Sequence, residues 1–170
     1  MITDRHSPEV PGDYVLQVSY KDKGAGVIEP MQQTATFLFR SPHINATDCD
    51  DYAGALLRVG GRAWILESAG YLQFNKIDLS GIQKITCRTK ARVKGKVTLR
   101  LDDPEGPVMG TAVINGASDQ WVDINLLIEA ASGIHDLYFV WTTDDQFKIK
   151  EIKYLFMLDT ISFGREKLYN

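Results

Sequence analysis

No apolar run in the sequence approaches the roughly 18 residues of a membrane-spanning helix, so membrane insertion is not expected. Met1 to Gly12 lacks the charged-then-apolar order of an export signal, and such a signal is expected only upstream, in a longer polypeptide. Cysteine is scarce. Cys49 and Cys87 permit one disulfide, but their spacing matches no metal or redox motif, and two buried free thiols acting as small apolar side chains is the favoured reading. His6, His43 and His135 share no ligand spacing, and His135, at the start of a strand, reads as a surface or hydrogen-bonded residue. Neither sign of charge dominates: 19 Lys and Arg stand against 22 Asp and Glu, scattered rather than blocked, which gives no footprint for nucleic acid.

Catalytic signatures are missing as well. There is no Gly-Xaa-Ser-Xaa-Gly elbow, phosphate-binding glycine loop or Cys–His arrangement. Asp102-Asp103-Pro104-Glu105-Gly106 is rich in carboxylates but reads as a solvated turn, whereas catalysis by paired carboxylates needs convergence in a cleft with one acid in apolar surroundings. The chain is therefore not read as an enzyme. Asn45-Ala46-Thr47 fits the glycosylation acceptor pattern but opens an expected strand, and no role is assigned to it.

What is present is alternation. A chain of 170 residues, 44% of them hydrophobic, is long enough to bury a core without staples. From Tyr14 onward, runs of alternating apolar and polar residues are broken by Gly, Pro, Asn and Asp, the signature of many short strands. In Tyr14 to Tyr20, the side chains of Tyr14, Leu16, Val18 and Tyr20 share one side of an extended chain, and Gln17 and Ser19 the other. A second strand at Thr36 to Phe39 completes a lead-in that ends at Ser41-Pro42. Further strands are expected at Tyr71 to Phe74, Ile82 to Ala91, Lys96 to Leu101, Gly110 to Ile114, Trp121 to Leu126, Asp136 to Trp141 and Phe156 to Phe163.

Helical spacing appears once, over Asp48 to Val59, where Tyr52, Ala55, Leu56 and Val59 suit one short helix or a loop turn. Strands at this density without intervening helices predict an all-β fold, an antiparallel β-sandwich of jelly-roll type with an N-terminal lead-in of two strands. The expected organisation is a lead-in over residues 1–41 and a sandwich over residues 42–170.

From Pro42 onward particular segments carry a resemblance: Ile44 to Asp48; Gly70-Tyr71-Leu72-Gln73-Phe74 with Ile77 to Ile82; Val97 to Pro107; Trp121; Gly133 to Trp141; and Leu158 to Phe163. Together they resemble a family 6 carbohydrate-binding module. The lead-in from Pro11 to Gly24 resembles the segment that joins such modules to upstream domains in proteins similar to quinone-dependent sugar dehydrogenases or trehalose-utilisation-type proteins. The resemblance implies that these residues form the C-terminal piece of a large exported multidomain bacterial protein, extracytoplasmic, with carbohydrate and the upstream domains as partners.

It also implies sites. Sugar recognition in such modules uses aromatic rings on which pyranose C–H groups stack, with polar partners for the hydroxyls. By position, Trp64 is the stacking candidate, with Arg62, Glu67, Asp144, Asp145 and Gln146 as polar helpers; Ser118 stands where the family's loop Trp is usual. Trp121, Trp141, Phe139 and Tyr138 read as structural, and Tyr71 fits either role. A structural calcium is implied for Asp159 on the last strand, but Thr47 replaces the usual first-strand Glu, a neutral oxygen in place of a carboxylate. The alternative function is a sandwich without a sugar site that serves as a structural or interdomain packing module.

Overall fold

The computed structural model describes residues 14–26, 29–58, 60–116, 120–128, 131–143 and 154–165. Two compact units divide between Ser41 and Pro42. The first is an antiparallel hairpin of β1 (Tyr14–Lys21) and β2 (Gln32–Phe39), in register from Tyr14 opposite Phe39 to Lys21 opposite Gln32. Asp22 holds its connection. The Asp22 side chain accepts from the backbone N–H groups of Gly24 at 2.9 Å and Met31 at 3.0 Å, and the Asp22 N–H donates to the Met31 carbonyl at 3.0 Å. β2 begins before the expected Thr36 because cross-strand pairing with β1 carries Gln32 to Ala35 into the ladder.

The second unit is a two-sheet antiparallel sandwich of jelly-roll type. Its strands are β3 (His43–Asn45), β4 (Asp51–Ala53), β5 (Ala55–Arg58), β6 (Arg62–Ile65), β7 (Ala69–Asp78), β8 (Ile82–Ala91), β9 (Gly95–Leu101), β10 (Val108–Ile114), β11 (Val122–Leu127), β12 (Ile134–Thr143) and β13 (Phe156–Arg165). One sheet runs β10-β9-β12-β7-β4, and the other runs β11-β8-β13-β6-β5 with β3 paired to β13.

Between them lies the core. Leu72, Phe74, Leu99, Leu137, Phe139 and Trp141 from the first sheet meet Ile65, Ile85, Cys87, Leu126, Phe156 and Ile161 from the second, all essentially shut off from solvent. Phe74 packs edge-on to Phe139 at 5.6 Å within the first sheet, and Trp141 packs edge-on to Phe156 at 5.9 Å between the sheets, the arrangement that aromatic quadrupoles favour. Both cysteines are free thiols, but only Cys87 is buried; Cys49 is half-buried. Burial pushes the Cys49 thiol up to about 11 and the Cys87 thiol up to about 12.

Of the short helix or loop turn expected within Asp48 to Val59, no α-helix forms over the described residues 48–58. Ala46–Asp48 makes one 3-10 turn, and the chain then continues as β4 and β5. Gly54 explains the correction: it adopts a left-handed φ of +71°, which ends any helical run, and a Cβ there would lie 2.7 Å from the Ala69 carbonyl oxygen. At this corner the chain passes from one sheet to the other, since β4 pairs with β7 and β5 with β6.

Candidate functional site

The outer face of the five-stranded sheet carries an aromatic and polar surface. In β7, Leu72, Phe74 and Ile77 point into the core, which turns Tyr71, Gln73 and Asn75 outward. In β12, Leu137, Phe139 and Trp141 are buried, so Tyr138 also faces out, contrary to its structural reading. Register then assembles a row across four strands: Asp51 on β4, Gln73 on β7, Tyr138 on β12 and Arg100 on β9.

Tyr71 is the diagonal neighbour of both Asp51 and Tyr138 in this lattice, a distance within reach of aromatic side chains. Its hydroxyl donates to Asp51 Oδ2 at 2.9 Å, and its ring meets the Tyr138 ring edge-on at 5.5 Å. The Asp51 contact raises the Tyr71 hydroxyl above its ordinary pKa, because ionisation would forfeit that hydrogen bond beside a carboxylate. Tyr138 is raised first by desolvation and then by Asp136, Asp103, Asp51 and Asp102. Two neutral phenols thus stand among carboxylates.

Amide and guanidinium groups complete the surface. Gln73 Nε2 donates to Asn75 Oδ1 at 2.6 Å, and the Asn75 N–H donates to Asp50 Oδ2 at 2.7 Å. Arg100 donates to the carbonyls of Glu105 at 3.2 Å and Gly106 at 2.6 Å, fastening the carboxylate-rich turn after β9. Aromatic faces with carboxylate, amide and guanidinium groups around them suit C–H stacking and hydroxyl hydrogen bonding by a sugar. Sequence reasoning missed Asp51, Gln73, Tyr138 and Arg100 as a group. The period-two pattern around Leu72 and Phe74 gives the orientation of Tyr71 and Gln73, but not which strands lie beside them.

At the rim, His135 and Asp102 form a pair, with 3.0 Å between Nδ1 and Oδ2. Asp102 Oδ1 accepts from the Asp136 N–H at 3.1 Å, and the Lys76 N–H donates to Asp136 Oδ1 at 2.9 Å. These contacts hold Lys76 and Asp102 at φ of 56° and 62°, a conformation that non-glycine residues rarely adopt. The second ring nitrogen of His135 faces the Ser132 carbonyl at 3.3 Å, so both partners are acceptors and the imidazolium is the form they satisfy. The Asp102 contact accordingly raises the His135 pKa above 6.5, and the same contact lowers Asp102 below 3.8.

A pH dependence follows. The His135 share of stability is full below 6.5 and is lost as pH rises through its raised value; the Asp102 share is full above 3.8 and is lost as pH falls through its lowered value. The pair is solvent-accessible, so the effect is below about 1 kcal/mol. Thermal midpoints of the wild type and His135→Gln should differ most between these two pH values and converge at higher pH; curves that stay parallel across the range would contradict the pair.

The sequence-predicted sugar residues fall elsewhere. Arg62 and Trp64 share the outer face of β6, in the other sheet, since Ala63 and Ile65 point inward. Trp64 is half-buried against Tyr154, with ring centroids 5.4 Å apart, and the Arg58 guanidinium lies 5.0 Å from the Trp64 ring centroid. Glu67 is on the turn after β6; its carbonyl accepts from Trp141 Nε1 at 3.1 Å while its side chain is exposed. Asp144, Asp145, Gln146 and Ser118 lie outside the described residues.

Asp159 and Thr47, tested as a calcium site, do not fit one. Asp159 Oδ1 is 3.4 Å from Arg62 Nε and Oδ2 is 3.8 Å from Arg88 Nε, so two guanidinium cations already face its carboxylate. Among the described residues no three His, Cys, Asp or Glu side chains converge to hold a metal ion. An internal ion-pair network is the chemistry that these groups support.

Comparison with known proteins shows a family and a fold. The family described as carbohydrate binding module (family 6) matches residues 48–165. A family 6 module from Clostridium cellulolyticum, solved with xylose, superposes with a TM-score of 0.62 at 24% identity, covering 72% of this chain and 96% of that one. A module from Clostridium stercorarium, solved with cellobiose, gives 0.58 at 20% identity over 72% and 92%. A β-1,3-glucan-binding module from Bacillus halodurans gives 0.60 at 16% over 71% and 93%. At these identities the likeness shows the fold. An arabinoxylan arabinofuranohydrolase of Bacillus subtilis is 28% identical over 64 residues, 36% of this chain but only 12% of that enzyme.

Proposed function

The chain belongs to family 6 of the carbohydrate-binding modules, and we propose that it docks a neutral glycan on the outer face of its five-stranded sheet, as a non-catalytic accessory module of a larger exported carbohydrate-active protein. The observation that carries this reading is the outward pair Tyr71 and Tyr138, ringed by Asp51, Gln73 and Arg100. Edge-on tyrosines offer a ring face to the apolar side of a pyranose, while the carboxylate and amide oxygens take its hydroxyl protons. An open sheet face desolvates little of the ligand, so weak affinity is expected and tethering to a catalytic domain supplies the effective concentration. Xylose, cellobiose and β-1,3-glucan as ligands of solved family members define the panel worth testing.

Titration of intrinsic fluorescence with xylo-, cello- and laminari-oligosaccharides tests the proposal. Saturable binding is expected, and Tyr71→Ala should weaken it about tenfold, ~1.4 kcal/mol. Trp64→Ala, on the opposite sheet, should leave it unchanged. Silence across the panel would favour the structural packing module, and loss in Trp64→Ala alone would move the site to the other sheet.

A further inference from the structure

The outer face of the six-stranded sheet is basic. Arg58 stands directly opposite Arg62, Arg88 opposite Asp123, Lys90 opposite Met157 and Lys84 opposite Gly164. Among the described residues the carboxylates of this face are Asp123 and Asp159, and Asp159 is shared between Arg62 and Arg88. Arg62 and Arg88 are balanced by these two carboxylates, and the charge of Lys84 is left over among the described residues. Arg58 adds another, without a carboxylate partner among the described residues. Like charges directly opposite on adjacent strands work against a sheet, so the Arg58–Arg62 pair favours an anion beside it.

Aromatic rings hold these cations in place. Arg58 lies over Trp64 at 5.0 Å, and Arg62 and Arg88 lie over Trp121 at 5.2 and 6.0 Å from its centroid. A guanidinium on a ring face has its N–H donors around the edge of its plane, the geometry that takes a carboxylate in two parallel hydrogen bonds. Arg58 and Arg62 stand one strand apart, about 4.8 Å, and Arg88 stands two strands beyond Arg62, on the far side of β13, spacings comparable to one and two sugar residues of an extended glycan. We infer that this face takes a glycan chain bearing carboxylates, a polyuronate, laid across β5, β6, β13 and β8 with Arg58, Arg62 and Arg88 as its anchors. Nucleic acid is the competing polyanion, but single strands bind by stacking bases on open aromatic faces, and here cations lie over both tryptophans. The inference rests on the carbohydrate reading above while using the opposite sheet.

The test is titration calorimetry of the full chain with polygalacturonate, neutral xylan, dextran sulfate and single-stranded oligothymidylate. Polygalacturonate should bind most tightly, with affinity that falls as salt rises. Arg58→Glu should weaken it by about tenfold or more, Arg58→Lys should give an intermediate loss because the fork is gone while the charge stays, and Tyr71→Ala should change nothing. Arg58 is exposed near the end of an edge strand and its replacement relieves a like-charge pair, so an unchanged thermal midpoint is expected and checked alongside. No binding of polygalacturonate, equal binding of dextran sulfate or oligothymidylate, or indifference to Arg58→Glu overturns the inference. Failure here with intact neutral-glycan binding leaves the tyrosine face standing; polyuronate binding without neutral-glycan binding does the reverse.

Discussion

Trp141→Ala should lower the unfolding free energy of the sandwich by roughly 3–5 kcal/mol, the range for removing a buried aromatic side chain. Trp141 is 2% exposed and sits where three features meet: the edge-on contact with Phe156 that joins the two sheets, the Nε1 hydrogen bond to the Glu67 carbonyl, and the close approach of Gly70. Truncation removes all three, leaving a cavity and an orphaned acceptor at the turn after β6. Trp141→Phe should recover much of the apolar contact but not the hydrogen bond, and fall between. Urea unfolding followed by far-UV circular dichroism reads the effect as a lower midpoint at unchanged slope. A loss under about 1 kcal/mol would mean that the ring is not a principal link between the sheets.

Trp141 also shows what the sequence makes legible. Its burial follows from alternation alone, since Leu137, Phe139 and Trp141 repeat at period two. The same pattern places Ile82–Ala91 as a strand with the bounds observed, and puts Arg100 on the face opposite Val97 and Leu99. What alternation cannot supply is lateral order. Asp51 and Arg100 are far apart in sequence, and only the order β9-β12-β7-β4 brings them to either side of Gln73 and Tyr138. Tyr138 shows a related limit: membership of a core strand does not say which of its two faces a residue occupies, and Tyr138 lies on the outer one. Over Asp48 to Val59 the apolar spacing suits a helix, yet Gly54 and the competing partners β7 and β6 draw the chain into two sheets. Tertiary pairing outweighs a local period of this length.

Charge is the third case. Basic and acidic residues look scattered along the sequence, but the pleat sorts them. Arg58, Arg62, Lys84, Arg88 and Lys90 gather on one outer face, while Asp51 and Asp136 stand with Tyr138 on the other, beside the carboxylates of the turn after β9. A net charge of −3 conceals this sorting of charge between the two outer faces. Asp159 has a matching role, since two arginines on neighbouring strands occupy the carboxylate that a divalent ion would need.

Gly70→Ala should be the most damaging small substitution, because it strikes the core and the tyrosine face together. A Cβ at Gly70 would lie 2.2 Å from the Ala53 carbonyl oxygen and 2.5 Å from Trp141 Cζ2. Neither neighbour gives way cheaply: Ala53 presents backbone, and Trp141 is locked between the sheets. The three-residue edge strand β4 is the weaker party and must move outward, drawing Asp51 away from the Tyr71 hydroxyl that it accepts from at 2.9 Å. The expected loss is roughly 3 kcal/mol of stability, the upper end for overpacking, together with a fall in neutral-glycan affinity comparable to that of Tyr71→Ala. Gly60→Ala is the matched control. Its Cβ meets nothing within 4 Å, but φ is +90°, so backbone strain of about 1–2 kcal/mol is expected without any change in that affinity. If Gly70→Ala proves as stable as the wild type, β4 is not seated against Trp141 as described. If it loses stability but keeps its affinity, Asp51 does not organise the tyrosine surface, and the recognition of glycan hydroxyls must be assigned to Gln73 and Arg100 instead.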